Sequence, residues 1–201
     1  MAEDAKTKLV DTTKTYYDSS DADNFYFAIW GGEDIHVGLY EGPDHPIKDA
    51  SLKTVERMDS MLNLTKDSYV LDMGAGFGGA ARYMVRKYVC NVVCLNLSTT
   101  QNERNREMNK AAGLDDKIEV VDGNFEEVGF DANTFDVVWS EDSFLNSGKR
   151  DVILKEAYRV LKPGGDFIFT DPMQADDVNP AELAPIYNRI HLDDMGSFAF
   201  Y

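Results

Sequence analysis

The sequence predicts an α/β fold, a parallel sheet with helices on both faces. Three observations carry this. From Tyr69 onward, short apolar runs alternate with longer helical segments, and such alternation builds parallel sheets from strand–helix–strand units. The first run ends in an acid and passes directly into a glycine-rich loop, VLDMGAGFGGA at 70–80. Glycines there let the chain turn sharply from strand to helix and leave the backbone open to a ligand. The run VVC is continuously apolar and FDVVW is apolar but for Asp136, as buried parallel strands are.

The elements follow in order. Residues 7–30 read as a helical, aromatic-rich segment, and 31–46 as a loop holding glycines and prolines. Ile47–Leu62 reads as a helix with apolar positions at Leu52, Val55, Met58 and Leu62. Strands are expected at Tyr69–Asp72, Asn91–Leu97, Lys117–Asp122, Phe135–Ser140 and Asp166–Thr170, and helices at Gly79–Tyr88, Thr100–Ala112 and Arg150–Leu161. Lys162-Pro163-Gly164-Gly165 reads as a turn that stops a helix and reverses the chain. A last helical stretch is expected near Ala181–Leu192. The 201 residues suffice for one domain, with 1–46 as an N-terminal lid and 47–201 as the core.

Composition narrows the function. The chain carries 36 acidic and 20 basic residues, a formal net charge of −16. Nucleic acid wants a basic face, so it is not an expected partner. The acidity reads either as a solvated surface or as adaptation to high internal salt or osmolyte. No apolar run approaches a membrane span, and MAEDAKTKLVDTTK lacks the apolar core of a signal peptide, so a cytoplasmic location is expected. Cys90 and Cys94 fall on one face of one strand, a poor geometry for a disulfide, and are expected as reduced core residues. No residue cluster has metal-ligand spacing, and no Ser-His-Asp pattern stands out.

The glycine loop fits more than one ligand. Gly74-x-Gly76-x-x-Gly79 satisfies a dinucleotide fingerprint. Asp72 discriminates, because a carboxylate at the strand tip repels a pyrophosphate and attracts a cationic head such as the α-ammonium of S-adenosylmethionine. The run D-x-G-x-G-x-G resembles motif I of the class I S-adenosylmethionine-dependent methyltransferases, a Rossmann-like family. RVLKPGGDFIFTD at 159–171 resembles the turn before the fifth strand of those enzymes. Ligands of such sheets sit at the carboxyl ends of the strands. The resemblance therefore assigns cofactor contacts to Asp72, Gly74 and Gly76, to Asn96 and Gln101 after the second strand, to Asn124 and Phe125 after the third, and to Ser140 after the fourth. Asn96 stands where most of the family carries an acid for the ribose hydroxyls. It also reads as a turn residue, Gln101 as a first-turn helix residue, and Phe125 as core packing. That sheet has seven strands in the family, and five are read here, so its C-terminal strands are expected to be missing and the fifth strand to present an open edge.

The N-terminal segment is more specific. YYDSSDADNFYFAIWGGEDIHVGLYE at 16–41, DPMQADD at 171–177 and IYNRIHLDDMGS at 186–197 are similar to the sarcosine and dimethylglycine N-methyltransferases of betaine synthesis. That resemblance implies conversion of sarcosine to dimethylglycine and of dimethylglycine to glycine betaine. Tyr26, Trp30 and Trp139 are then candidate aromatic walls for a cationic transition state, each with a plain core reading beside it. Arg189 is a candidate cation for the substrate carboxylate. His36 is placed to donate to that carboxylate or to hold the lid, and Gly38 to let the lid backbone approach the cofactor. A homodimer stays open as an assembly. The other readings are methylation of another small amine such as phosphoethanolamine, a cofactor-binding inactive fragment, and a nicotinamide oxidoreductase. Phosphoethanolamine would want a basic pocket that the sequence does not supply, and Asp72 and Asn96 count against the oxidoreductase.

Overall fold

The computed structural model describes the backbone of residues 2–190, 192 and 194–201, and the side chains of 10–179, 181–188, 192 and 194–201. Five strands form one sheet: β1 (Tyr69–Met73), β2 (Asn91–Asn96), β3 (Ile118–Asp122), β4 (Phe135–Glu141) and β5 (Leu161–Thr170). Their spatial order is β3-β2-β1-β4-β5, every pair parallel. The helices are α1 (Ala2–Tyr17), α2 (Ser20–Ile29), α3 (Ile47–Asp59), α4 (Gly79–Tyr88), α5 (Thr99–Ala112), α6 (Arg150–Val160) and α7 (Pro180–Ile190). This is the parallel α/β sheet with helices on both faces that the alternation predicts.

The two-residue period of each strand divides the core. Val70, Val92, Cys94, Val137 and Trp139 face α3 and α4, with Val55, Met58, Ala81 and Met84. Leu71, Met73, Val93, Leu95 and Val138 face the other way, onto Ile153, Ala157 and Val160 of α6. Both cysteines are buried and free, in the first of these layers. α5 differs, because its buried positions are Gln101, Asn102, Asn105 and Asn109. That polar stripe is partly bonded from within, with Asn109 Nδ2 donating to Asn105 Oδ1 at 2.8 Å, while Gln101 Nε2, Asn102 Oδ1 and Asn105 Nδ2 have no partner. Arg82, 1 % exposed, donates to Phe77 O at 2.7 Å and to Asn109 Oδ1 at 3.0 Å.

Four local features differ from the expectations. The N-terminal helical segment is two helices, because Ser19 adopts extended backbone and caps α2 by accepting from Ala22 N at 3.2 Å. α3 ends at Asp59, short of Leu62. A 3₁₀ turn, Phe144–Asn146, follows β4. The Lys162–Gly165 stretch is an irregularity within β5, where pairing jumps from Phe135↔Leu161 to Val137↔Asp166 and Gly164 takes φ +81. No strand follows β5 among the described residues; Gln174 and Ser197 form an isolated parallel bridge.

Candidate active site

Strand order creates the site. The chain leaves β1 toward β2 in one direction and reaches β4 in the other, which opens a crevice at the carboxyl ends of β1 and β4. Gly74 fills that point with φ +87, and its N–H donates to Leu95 O at 2.8 Å. A Cβ there would stand 2.5 Å from Ser143 Cβ, so a side chain would close the crevice. What remains is a cavity that reaches from Asn96, Gln101 and Phe125 at one end to Tyr17, Asp142 and Asn146 at the other.

The first end has the chemistry of a nucleoside site. Asn96 donates through Nδ2 to Gln101 Oε1 at 3.1 Å, which leaves the Asn96 carbonyl oxygen to accept from the cavity. Gln101 Nε2 is buried without a partner, an available donor. Phe125 lines the wall and packs edge-on to Phe144, centroids 5.8 Å apart. Asn124 also lines it, with Oδ1 accepting from Glu126 N at 2.9 Å. Gly74, Gly76, Asn96, Gln101, Asn124 and Phe125 are therefore brought together, as their positions after the strands suggest.

A second, smaller cavity adjoins the first through Ile35, Gly74 and Glu141. Asp72 of β1, Glu141 of β4 and Asp34 and His36 of the lid surround it. Asp72 pairs in register with Trp139, so Glu141, two residues on, lies diagonal to Asp72 on the same face. Burial pushes the Asp72 carboxyl well above the usual range, and Glu141 and Asp34 add to it. Burial likewise pushes Glu141 up to about 7, with Asp34 adding to it, while His36 and a hydrogen bond from Trp139 act the other way. Burial works against a charged His36, but the nearby carboxylates of Asp34 and Glu141 outweigh it and raise the imidazole to about 9. Among the described residues, no group of three His, Cys, Asp or Glu side chains is placed to hold a metal ion.

The lid is fastened at many points. Glu33 pairs with Arg82 at 2.7 Å, Val37 N donates to Asp142 Oδ2 at 2.7 Å, and Thr54 Oγ1 to Val37 O at 3.0 Å. Asp18 accepts from Ser98 Oγ at 2.7 Å and from Thr100 N at 3.2 Å, so the α1–α2 junction caps α5. Asp23 of α2 forms an ion pair with Arg104 of α5.

Several expected roles change on this geometry. Trp139 is fully buried among the residues facing α3 and α4 and lines neither cavity; its indole N–H donates to Glu141 Oε2 at 3.1 Å. Strand alternation turns its ring inward, so it orients an acid instead of forming a wall. Ser140 is fully buried and spends its hydroxyl on Met73 O at 2.7 Å, which fixes the gap between β1 and β4 instead of contacting a ligand. Gly38 faces α3, not the cavity; a Cβ would meet Ser51 N at 2.6 Å. Gly38→Ala is thus expected to push the lid off α3, at a cost on the order of 1–3 kcal/mol, read as a lower thermal midpoint. Tyr26 and Trp30 stand behind the wall: Tyr26 stacks on cavity-lining Tyr17 at 5.8 Å, and Trp30 Nε1 donates to His36 O at 2.9 Å. His36 is buried, its Nε2 3.3 Å from Glu141 Oε1, which fits the lid-holding role of the two expected. Arg189 falls in α7, and its side chain lies outside the described residues.

The sequence reading missed Tyr17, Asp34, Glu141 and Asp142. A signal existed for the last two, since Glu141 and Asp142 stand at the end of the apolar fourth strand and strand ends line such sites. None marks Asp34, which arrives through the lid.

Known proteins agree with this architecture. The family described as "Methyltransferase domain" matches residues 71–169. The sarcosine/dimethylglycine N-methyltransferase of Halorhodospira halochloris is 57 % identical over 202 residues, covering 100 % of this chain and 72 % of that protein. The glycine/sarcosine/dimethylglycine N-methyltransferase of Actinopolyspora halophila is 52 % identical over 98 % of this chain and 35 % of its own length. Among solved structures, a protein proposed to be a sarcosine dimethylglycine methyltransferase, from Galdieria sulphuraria, superposes with a TM-score of 0.86 at 46 % identity, covering 90 % of this chain and 71 % of that one. With the crevice, the glycine loop and this likeness along the whole chain, the protein belongs to the sarcosine/dimethylglycine N-methyltransferase family of the class I methyltransferases.

Proposed function

We propose that this chain transfers a methyl group from S-adenosylmethionine to the nitrogen of sarcosine and of dimethylglycine, giving dimethylglycine and glycine betaine. The observation that carries this is the 57 % identity across the full chain to an enzyme named for those two substrates. The site supports it. Bound S-adenosylmethionine supplies a methyl carbon on a sulfonium; the N–C bond forms as the S–C bond breaks, and the positive charge passes to nitrogen.

The residues present fit that cofactor. Asn96 and Gln101 offer an acceptor and a buried unpartnered donor for the nucleoside, Phe125 offers a face for the base, and Asp72 with Glu141 offers negative charge for an α-ammonium. The remaining end of the cavity, at Tyr17, Asp142 and Asn146, is left for the amine. Positioning and exclusion of water are the main contributions asked of the protein. The amine must arrive neutral, and a desolvating wall favours that form. Tyr17, backed by Tyr26, provides an aromatic face that also favours the developing cation. Dimethylglycine loses no proton in the transfer itself, so no dedicated base is needed for it. A phosphate-bearing amine fits less well. Lys14 is the one Lys or Arg lining the cavity among the described residues, and it is ion-paired with Asp18.

The test is incubation with methyl-labelled S-adenosylmethionine and, separately, glycine, sarcosine and dimethylglycine. Label is expected in dimethylglycine and betaine and not in sarcosine. Cofactor binding with no label in any product would overturn the substrate assignment.

A further inference from the structure

The groups around the smaller cavity do not balance in charge. The lid contributes Asp34 and His36, β1 contributes Asp72, and β4 contributes Glu141. Asp142 follows, engaged with the lid through Val37 N. Cys94 of β2, in register with Asp72, carries a thiol that burial and Asp72 keep neutral; α4 brings Ala80. The side chains of Asp34, His36 and Glu141 are 9 %, 6 % and 8 % exposed, and Asp72 is 3 % exposed.

His36 Nδ1 lies 3.2 Å from Val37 O, an acceptor, so that nitrogen carries a proton. Its Nε2 lies near two carboxylate oxygens, Glu141 at 3.3 Å and Asp34 at 3.7 Å. An imidazole with an acceptor at one nitrogen and two carboxylates within 4 Å of the other is held as the cation. One cation then stands among three carboxylates. Glu141 Oε1 and His36 Nε2 are both buried without a hydrogen bond, so what joins them across 3.3 Å is charge alone. An uncompensated buried charge is costly, and such a group takes up a proton instead. The ligand-free cluster therefore holds a proton that belongs to Asp72 and Glu141 jointly.

We propose that binding of S-adenosylmethionine expels this proton: the α-ammonium takes its place among Asp34, Asp72 and Glu141, while His36 keeps the lid docked. The inference rests on the cofactor assignment above and adds a regulation to it. The sign follows from linkage. The free cluster holds its proton at low pH and the complex does not, so affinity rises with pH until the Asp72–Glu141 pair has given up that proton without the cofactor, Glu141 being raised to about 7 and Asp72 raised by burial as well. Above about 9, His36 loses its charge and the lid loses that contact. The site is thus built for the window between.

Calorimetric titration of the whole chain with S-adenosylmethionine, in buffers of different ionisation enthalpy, counts the protons released. Near pH 6, close to one proton per cofactor is expected, falling toward none by about pH 8, with up to about tenfold tighter binding per pH unit below pH 7. Glu141→Gln should flatten both dependences. 5′-Methylthioadenosine, which lacks the amino-acid tail, should bind with no release. Cofactor binding with buffer-independent heat near pH 6 overturns the proposal, and so does undiminished release from folded E141Q. The wild-type series decides even if that variant fails to fold. No binding of S-adenosylmethionine at any pH overturns the cofactor assignment, and the proposal with it.

Discussion

Trp139→Ala is expected to destabilise the fold by about 3–5 kcal/mol, measured by urea or thermal unfolding. The ring is fully buried, packed with Val55, Met84 and Val137 between the sheet and its helices. Truncation leaves a cavity that surrounding strands cannot collapse into. It also removes the indole N–H from Glu141 Oε2, which leaves a buried acceptor unsatisfied. Trp139→Phe separates the two effects: most packing stays and the donor is lost, so a smaller cost of roughly 1–3 kcal/mol is expected. A wall residue would behave oppositely, losing turnover at unchanged stability. That pattern for Trp139→Ala would refute its placement as a core residue.

Asp72→Asn is expected to move binding and stability in opposite directions. Cofactor affinity should fall by roughly 1.5–3 kcal/mol, the range for a hydrogen bond to a charged group, or about ten- to 150-fold in Kd. Stability of the ligand-free chain at neutral pH should rise. The folded carboxyl sits above its unfolded value because of burial, with Glu141 and Asp34 adding to it. A group raised in this way lowers stability as pH climbs from the unfolded pKa through the folded one. The amide removes that penalty at similar size. Such opposition marks a residue kept for binding at the expense of the fold. Titration with S-adenosylmethionine and a melting curve at pH 7 test both. Unchanged affinity would remove Asp72 from the cofactor site, and a lower melting midpoint would contradict its strained burial.

Much of this was legible in one dimension. The strands at Tyr69, Asn91, Phe135 and Asp166 follow from apolar runs set between turn residues, because burial on both faces leaves a continuous apolar signal. The glycine loop and the acid before it are local, so Asp72, Gly74 and Gly76 could be placed at one strand end. Asn96, Gln101, Asn124 and Phe125 line the same cavity because strand ends of a parallel sheet converge. The aromatic assignments fared differently. A tryptophan at a strand end and one in a lid look alike in sequence, yet the first is turned into the core by the two-residue period and the second gives its N–H to His36 O.

The sequence by itself determined the fold class, the loop that opens the crevice and the family, since each is written in local pattern or in whole-chain likeness. Only the tertiary structure decided that Glu141 stands beside Asp72, that Asp34 and His36 of the lid close over both, and that Trp139 and Ser140 hold this arrangement from behind. Those neighbours are set by β1 pairing with β4 across 60-odd intervening residues and by a lid folded back onto the sheet. No short-range periodicity encodes such contacts; they exist only once the strand order has formed.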